Sequence, residues 1–467
     1  MIPLAEILSS GREVVAMAIH PMETEIYKAN YLAPEIREIF DERSIIESWL
    51  FLEGILAEVQ GELGIIPEEV AKEIKAKATL KHVKFERIIE IFQKTKHPPV
   101  ATVRALAEVC QHGAGEYVHY GLCSPELTEN ALACSLKRVM DVFERDLATI
   151  RLHLNRLGDL HRHTLMADRS HGQQALPTTF GFIAAIWSDA VSKQIDRFQE
   201  ARKRILMGTI KGVMGNHAPH YMIAGDKCLE VEKRVLERLG LYSNRISFGR
   251  HLERWMEFMN LLSLVAATFE KICDDIFFQQ RTEIGELEEP FDTESQIGSS
   301  TMPQKRNPLL CEAMIAWCRK IRSNASAFSN AHMRESHDSI GFITEDLIIP
   351  ETCVLSGAML NAAKSLLENL VVKKDAMKRN LESSNGMIMA EALMIGLSKK
   401  TGKKQTAHAI VHQAAMEAFE KGIPFDKYIL EYPSIRDQFT KEEIEGLLKP
   451  ENYLGLNDMC IDRVIQS

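Results

Sequence analysis

Paired cysteines are missing. The 467 residues hold nine cysteines, with no CxxC pair and no Cys/His cluster at zinc spacing. That excludes a disulfide frame and a structural metal site, and it reads as reduced thiols in a cytoplasmic protein. Long apolar runs are missing too. None reaches about 18 residues, so no membrane span is expected. The apolar stretch from Val14 to Ile19 is too short for a signal-peptide core. Positive charge is in deficit: a net charge of -9 gives no reason to expect nucleic acid or an anionic membrane as partner. Strand alternation of useful length, a repeat of roughly 20 to 50 residues and low-complexity tracts are also absent.

What is present is helix. The chain is too long for one ordinary core, so two or three domains are expected. Apolar residues make up 45% and charged residues 26%, as in an ordinary soluble protein. Residues 1–111 read as an N-terminal helical domain. There Ile39-Phe40, Trp49-Leu50, Leu56 and Val59 recur at helix spacing, and Gly64 with Pro67 ends a helix. Residues 112–368 read as a long-helix bundle. From Glu126 to about His163 there is no proline and one glycine, Gly158. Leu132, Leu136, Val139, Phe143, Leu147, Ile150, Leu154 and Leu157 step by three and four. A helix of roughly 38 residues would span roughly 57 Å. A second helix is expected from Pro177 to Leu206, a third from Arg254 to Glu286, a fourth from Leu309 to Ala331 and a fifth from Thr344 to Leu367. Residues 369–467 are more charged and punctuated, a small helical C-terminal domain. The fold class is all-α, and helices this long suggest an oligomeric bundle.

One loop interrupts this pattern: Gly298-Ser299-Ser300-Thr301-Met302-Pro303-Gln304-Lys305-Arg306-Asn307-Pro308. Gly298 opens it, and the two prolines forbid helix and push the residues before them extended. Hydroxyls beside Lys305, Arg306 and an amide have the composition of an anion site. A solvated basic connector has the same composition. Three further irregular segments carry polar groups. Glu116 to Glu126 ends in Ser124-Pro125, where Ser124 reads either as a helix N-cap or as a hydroxyl at a helix start that receives a carboxylate. Asp168 to Gln174 holds His171 beside a glycine. Met214 to His220 reads as a helix end and turn.

The loop 298–308 matches the signature loop of the fumarase/aspartase superfamily almost residue for residue. Ser170-His171-Gly172-Gln173 with Pro177-Thr178-Thr179-Phe180-Gly181 resembles the Thr-His-Gly-Gln stretch of its adenylosuccinate lyase and carboxymuconate cycloisomerase branch. His119-Tyr-Gly-Leu-Cys-Ser124 resembles that branch's His-x-Gly-x-Thr-Ser, and Pro450 to Gly455 is also similar. The resemblance covers nearly the whole chain. It implies three helical domains and a homotetramer whose long helices merge, each active site being shared by three subunits. It also implies β-elimination from a succinyl group with release of fumarate, through a dianionic aci-carboxylate and with no cofactor or metal. Ser299 would be the base and His171 the acid. Lys305 and Asn307 would hold the carboxylate where charge develops. Ser124 and Ser300 would hold substrate carboxylates. Ser170, Met302, His97 and Arg254 would be further substrate contacts.

The departures narrow the substrate. His97-Pro98-Pro99 stands where adenylosuccinate lyases usually have His-Asp-Val, and Leu252-Glu253-Arg254 where they have Arg-Asp-Arg. Phe342-Ile343-Thr344-Glu345-Asp346 stands where they have Ser-Ser-x-Glu-Arg, whose arginine grips the nucleotide phosphate. An aspartate there repels a phosphate. The expected substrate is therefore a small N-succinyl or S-succinyl adduct. Three alternatives stay open. One is adenylosuccinate lyase proper, with Arg334, Lys96 or Arg250 as phosphate cation. The others are a carboxymuconate-type cycloisomerase and a non-catalytic scaffold.

Overall fold

The computed structural model describes residues 20–246, 252–331 and 340–466. The chain divides into two compact units. One comprises Met1–Val142, Leu206–Glu253 and Phe328–Asn361, the other Phe143–Ile205, Arg254–Ala327 and Ala362–Ser467. The boundaries between the units fall within several helices, Ser124–Leu160 and Ile340–Glu368 among them.

In the first unit, short helices surround Glu42–Glu62. The Asp41 carboxylate caps that helix, accepting from the Arg43 amide at 3.0 Å, one of the donors a helix start leaves open. Leu50, Leu52, Leu56 and Val59 are fully buried on its core side. The long helix beginning at Ser124 is anchored by Glu126, which is wholly buried. Its carboxylate accepts from the amides of Cys123 at 3.1 Å, Lys211 at 2.5 Å and Gly212 at 2.7 Å. Asn130 exchanges two hydrogen bonds with the backbone of Thr209, at 2.8 and 2.9 Å. These bonds hold the chain just beyond Met207–Gly208, which pairs with Tyr242–Ser243 as a short parallel ladder.

The second unit holds Phe180–Ile205, most of Glu253–Gln279, Leu309–Phe328 and the C-terminal helices. Aromatic side chains fill its core. Phe143 meets Phe198 edge-on at 6.4 Å, and Phe180 meets Trp187 at 6.0 Å. The Trp187 indole donates to Asp275 at 3.2 Å, as buried indole N–H groups usually find a partner. Phe258 and Phe269 are fully buried, as the seam spacing of the third long helix requires. Toward the C-terminus, Leu393, Val411, Phe425, Ile429 and Ile435 form a separate apolar cluster. The five long helices expected from the sequence are present with shifted ends. The third stops at Gln279, and the fifth begins at Ile340 and continues through Pro350.

One expectation is corrected. No strands of useful length were expected, and Asp168 to Gln174 read as irregular. Instead Leu165–Ser170 (β1) and Gln173–Thr179 (β2) form an antiparallel hairpin. The pattern hides it for two reasons. A shift of register between Asp168 and Arg169 breaks the alternation. Pro177 also sits within β2, which demotes a run in any sequence reading.

Candidate active site

The hairpin presents His171 at its tip. Ser170 pairs with Gln173, so the loop is the two residues His171 and Gly172. Both have positive φ, 53° and 77°, the geometry of the primed turns that match strand twist. Glycine adopts it freely. For histidine it is uncommon, and such conformations concentrate at functional positions. His171 is exposed, and its ring makes no hydrogen bond among the described residues. Ser170 beside it is exposed too. Behind the tip, Arg169 donates through both terminal nitrogens to Glu286, each at 2.7 Å. Glu286 has no exposed surface and also accepts from the Asn380 amide at 2.8 Å. Gln174 donates to the Asn380 carbonyl at 2.8 Å. The turn therefore sits on a clamped base.

The loop 298–308 has neither helix nor strand, and its ends are fastened. Upstream, Glu289 accepts from the amides of Leu310 at 3.0 Å and Cys311 at 2.5 Å, which caps the helix that follows the loop. Glu288 accepts from Arg306 at 3.0 Å and pairs with Lys373. Burial alone would raise the Glu288 carboxyl, but Lys373 and Arg306 hold it below the usual carboxylate range. Across the neck, the Asn307 amide donates to the Gly298 carbonyl at 2.7 Å.

Within the loop, Ser299 is half-buried, and its hydroxyl oxygen accepts from the amides of Met302 at 3.1 Å and Thr301 at 3.4 Å. Two N–H groups aimed at one hydroxyl oxygen favour negative charge on it. Ser300, Met302 and Lys305 are exposed. The Lys305 ammonium has no partner among the described residues, which leaves it available to an anion. The structure thus gathers Ser299, Ser300, Met302, Lys305 and Asn307 in one loop. Asn307 differs from expectation in its partner, for its amide is spent on the loop's own neck.

The remaining candidates are on other elements of the chain. Ser124 is the first residue of its helix and not the residue before it. Its hydroxyl caps nothing among the described residues, and the Glu126 carboxylate accepts from the Cys123 amide just before it. His97 precedes Pro98–Val109 with no side-chain cap bond and is exposed. Arg254 is buried, its guanidinium 4.0 Å above the Trp255 ring. Sequence reasoning missed the Arg169–Glu286–Asn380 clamp, the Glu289 cap and the pair of His119 with buried Glu53. In that pair Nδ1 lies 2.5 Å from Oε1. Only the proximity of Arg169 to His171 was visible in the chain.

Residues 28–323 match the family model described as Lyase. Residues 386–464 match the one described as Adenylosuccinate lyase C-terminus. The chain belongs to the lyase family, as an adenylosuccinate lyase-like member of the fumarase/aspartase superfamily. An adenylosuccinate lyase from Methanocaldococcus jannaschii is 41% identical, over 99% of this chain and 98% of that protein. An N-acetyl-S-(2-succino)cysteine lyase from Dickeya dadantii is 33% identical, over 96% and 98%. Among solved structures, a fumarate lyase from Mesorhizobium sp. BNC1 superposes with a TM-score of 0.85 at 28% identity, covering 94% of this chain and 98% of that one. The all-α, fumarase/aspartase-like fold read from the signature loop is therefore the fold of this chain, and the chain is an enzyme of the lyase class.

Proposed function

We propose that the enzyme releases fumarate from a small succinyl adduct, of nitrogen or of sulfur, and that a purine nucleotide is not its substrate. One observation carries the second part. Asp346 stands where adenylosuccinate lyases are expected to hold the phosphate with an arginine. Although the residue is exposed, burial of its carboxyl, and then the nearby Glu129 carboxylate, push Asp346 above the usual range. Glu345 beside it is buried. A phosphate dianion brought here meets the carboxylates of Asp346 and Glu129 in place of a cation. The succinyl cysteine lyase among the relatives agrees with a small leaving group.

In the reaction, Ser299 removes the proton beside a carboxylate, and the amides of Thr301 and Met302 stabilise its alkoxide. Lys305 meets the aci-carboxylate as it forms. The bond to the leaving atom breaks, and His171 supplies that atom's proton. Base and acid exchange one proton each, so fumarate and the protonated leaving group are the only products. Ser124 and Ser300 hold the substrate's carboxylates. We infer that copies of the chain assemble as a homotetramer, which would bring loops from three subunits to one site. Support comes from Leu152, Ile186 and Leu264, exposed large apolar side chains on three long helices whose other faces are core.

A second reading is favoured by the 41% identity to an adenylosuccinate lyase. It needs a phosphate cation. Lys96, exposed in a left-handed turn, is one; Arg250 and Arg334 lie outside the described residues. Fumarate release from a panel of adducts tests both readings: adenylosuccinate, argininosuccinate, N-succinyl amino acids, and S-(2-succino)cysteine with and without its N-acetyl group. Turnover of a small adduct but not adenylosuccinate is expected. Rapid turnover of adenylosuccinate would overturn the reading of Asp346. Absence of fumarate from every adduct would favour a cycloisomerase or a scaffold.

A further inference from the structure

A cavity of about 280 Å³ lies against the hairpin that carries His171. Met166, Ala167, Ile183 and Phe278 give it an apolar body, and its lining reaches the turn at Gly172. Its polar lining consists of Asp168, Arg169, Asp275 and Gln279. The one cation of the lining is already neutralised, for Arg169 is clamped to Glu286. Asp275 accepts from Trp187 and pairs with Lys271 at 3.3 Å, both through Oδ2. Asp168 is exposed and uses one oxygen on the Arg169 amide, at 2.8 Å. Gln279 is 7% exposed, and its buried side-chain oxygen has no hydrogen-bond partner among the described residues.

A buried acceptor left without a donor is costly, on the order of 1–3 kcal/mol. Buried polar groups are otherwise almost always satisfied. The cavity is thus short of donors and rich in acceptors, with a surplus of negative charge. It fits a compact group that brings N–H donors and positive charge on a short apolar stem.

We propose that this cavity receives the ammonium of the departing group, an amine or amino acid, with Gln279 and Asp168 as its acceptors. The placement follows from the turn: the group that leaves takes its proton from His171, and the next residue, Gly172, borders the cavity. Gln279 is then a specificity residue and not a group that moves protons. This rests on the proposed release of a small leaving group, which it deepens by naming where that group sits.

The test compares wild type with Gln279→Leu, of similar volume, and with Asp168→Asn, an exposed change that spares the core. KM is measured for S-(2-succino)cysteine and for its N-acetyl form, which lacks the ammonium, together with inhibition by fumarate alone. One lost hydrogen bond to a charged donor corresponds to a rise of roughly tenfold or more in KM. That rise is expected for the free-amino adduct in Gln279→Leu; Asp168→Asn, which keeps an acceptor oxygen and loses only an exposed charge, should raise it less. Asp168→Asn should also shrink the preference for the free amine over its N-acetyl form. The inhibition constant of fumarate, which has no leaving group, should stay as in wild type. A merely structural role would move the fumarate constant too, and that result overturns the proposal. Unchanged KM values and an unchanged preference in both variants overturn it as well. Failure of wild type to release fumarate from either adduct instead removes the proposed function beneath it.

Discussion

Arg169 holds Glu286 by two parallel hydrogen bonds of 2.7 Å, and this pair fastens the hairpin that carries His171. A two-stranded ribbon is marginal by itself. Here its base is tied to a carboxylate with no exposed surface, which Asn380 also supports. Removing the arginine leaves a buried, uncompensated charge. Arg169→Met should therefore destabilise the protein by about 3–5 kcal/mol, read as a shift in the urea unfolding midpoint. The double variant with Glu286→Gln should recover part of that loss, since the amide still accepts from Asn380 and bears no charge. A loss in Arg169→Met no larger than that of an exposed ion pair would show that the clamp carries little.

Ser299 offers the sharpest test of the chemistry. Its oxygen already accepts two backbone N–H groups, which a methyl group cannot use. Ser299→Ala should lower kcat by about 10²–10⁴-fold, the range for a positioned general base. The thermal unfolding curve should remain where it was, because the residue lies in a half-open loop. Near-normal turnover by the variant would remove Ser299 from the reaction.

The neck of the loop depends on a missing side chain. A Cβ at Gly298 would fall far inside contact distance of the Lys305 carbonyl, while Asn307 bonds the Gly298 carbonyl. Gly298→Ala must push the two sides of the loop apart. Activity should drop by at least about tenfold, the equivalent of 1.4 kcal/mol in the barrier, with circular dichroism unchanged. Asn307→Ala should produce the same phenotype more weakly if the amide acts through the neck. If it holds substrate directly, KM should instead rise with the loop intact, so the two variants separate these roles.

The long helices were legible because their apolar spacing is a local property of the chain. Phe258, Val265, Phe269 and Ile276 are buried as their spacing requires. The loop 298–308 was legible because Pro303 and Pro308 disfavour helix by covalent geometry and Gly298 opens it. The hairpin was not, since a register shift and Pro177 blur its alternation. Nor were Glu286, Glu289 and Glu53: nothing in the neighbourhood of a glutamate announces that a distant amide, guanidinium or imidazole will meet it.

His119 and Glu53 give stability a pH dependence whose sign can be worked out. The imidazole lies 2.5 Å from the carboxylate, and its backbone amide donates to the other oxygen at 3.0 Å. Burial alone would lower the imidazole. The hydrogen bond and charge of Glu53, with Glu126 behind it, carry it above its ordinary value. A histidine raised in the folded state binds its proton more tightly there than in the unfolded chain. Its contribution is therefore full below the unfolded value of about 6.5 and is lost as pH rises through the folded one. Glu53→Gln keeps an acceptor but removes the charge, so burial dominates and that contribution disappears. The stability gap between wild type and variant should be widest below the unfolded value and should narrow as pH rises through the folded one. Half-buried His217, whose imidazole burial lowers, is common to both proteins and cancels in the difference. Urea unfolding of both proteins across that range measures it. A gap that stays constant with pH would mean that His119 carries no extra proton in the folded state.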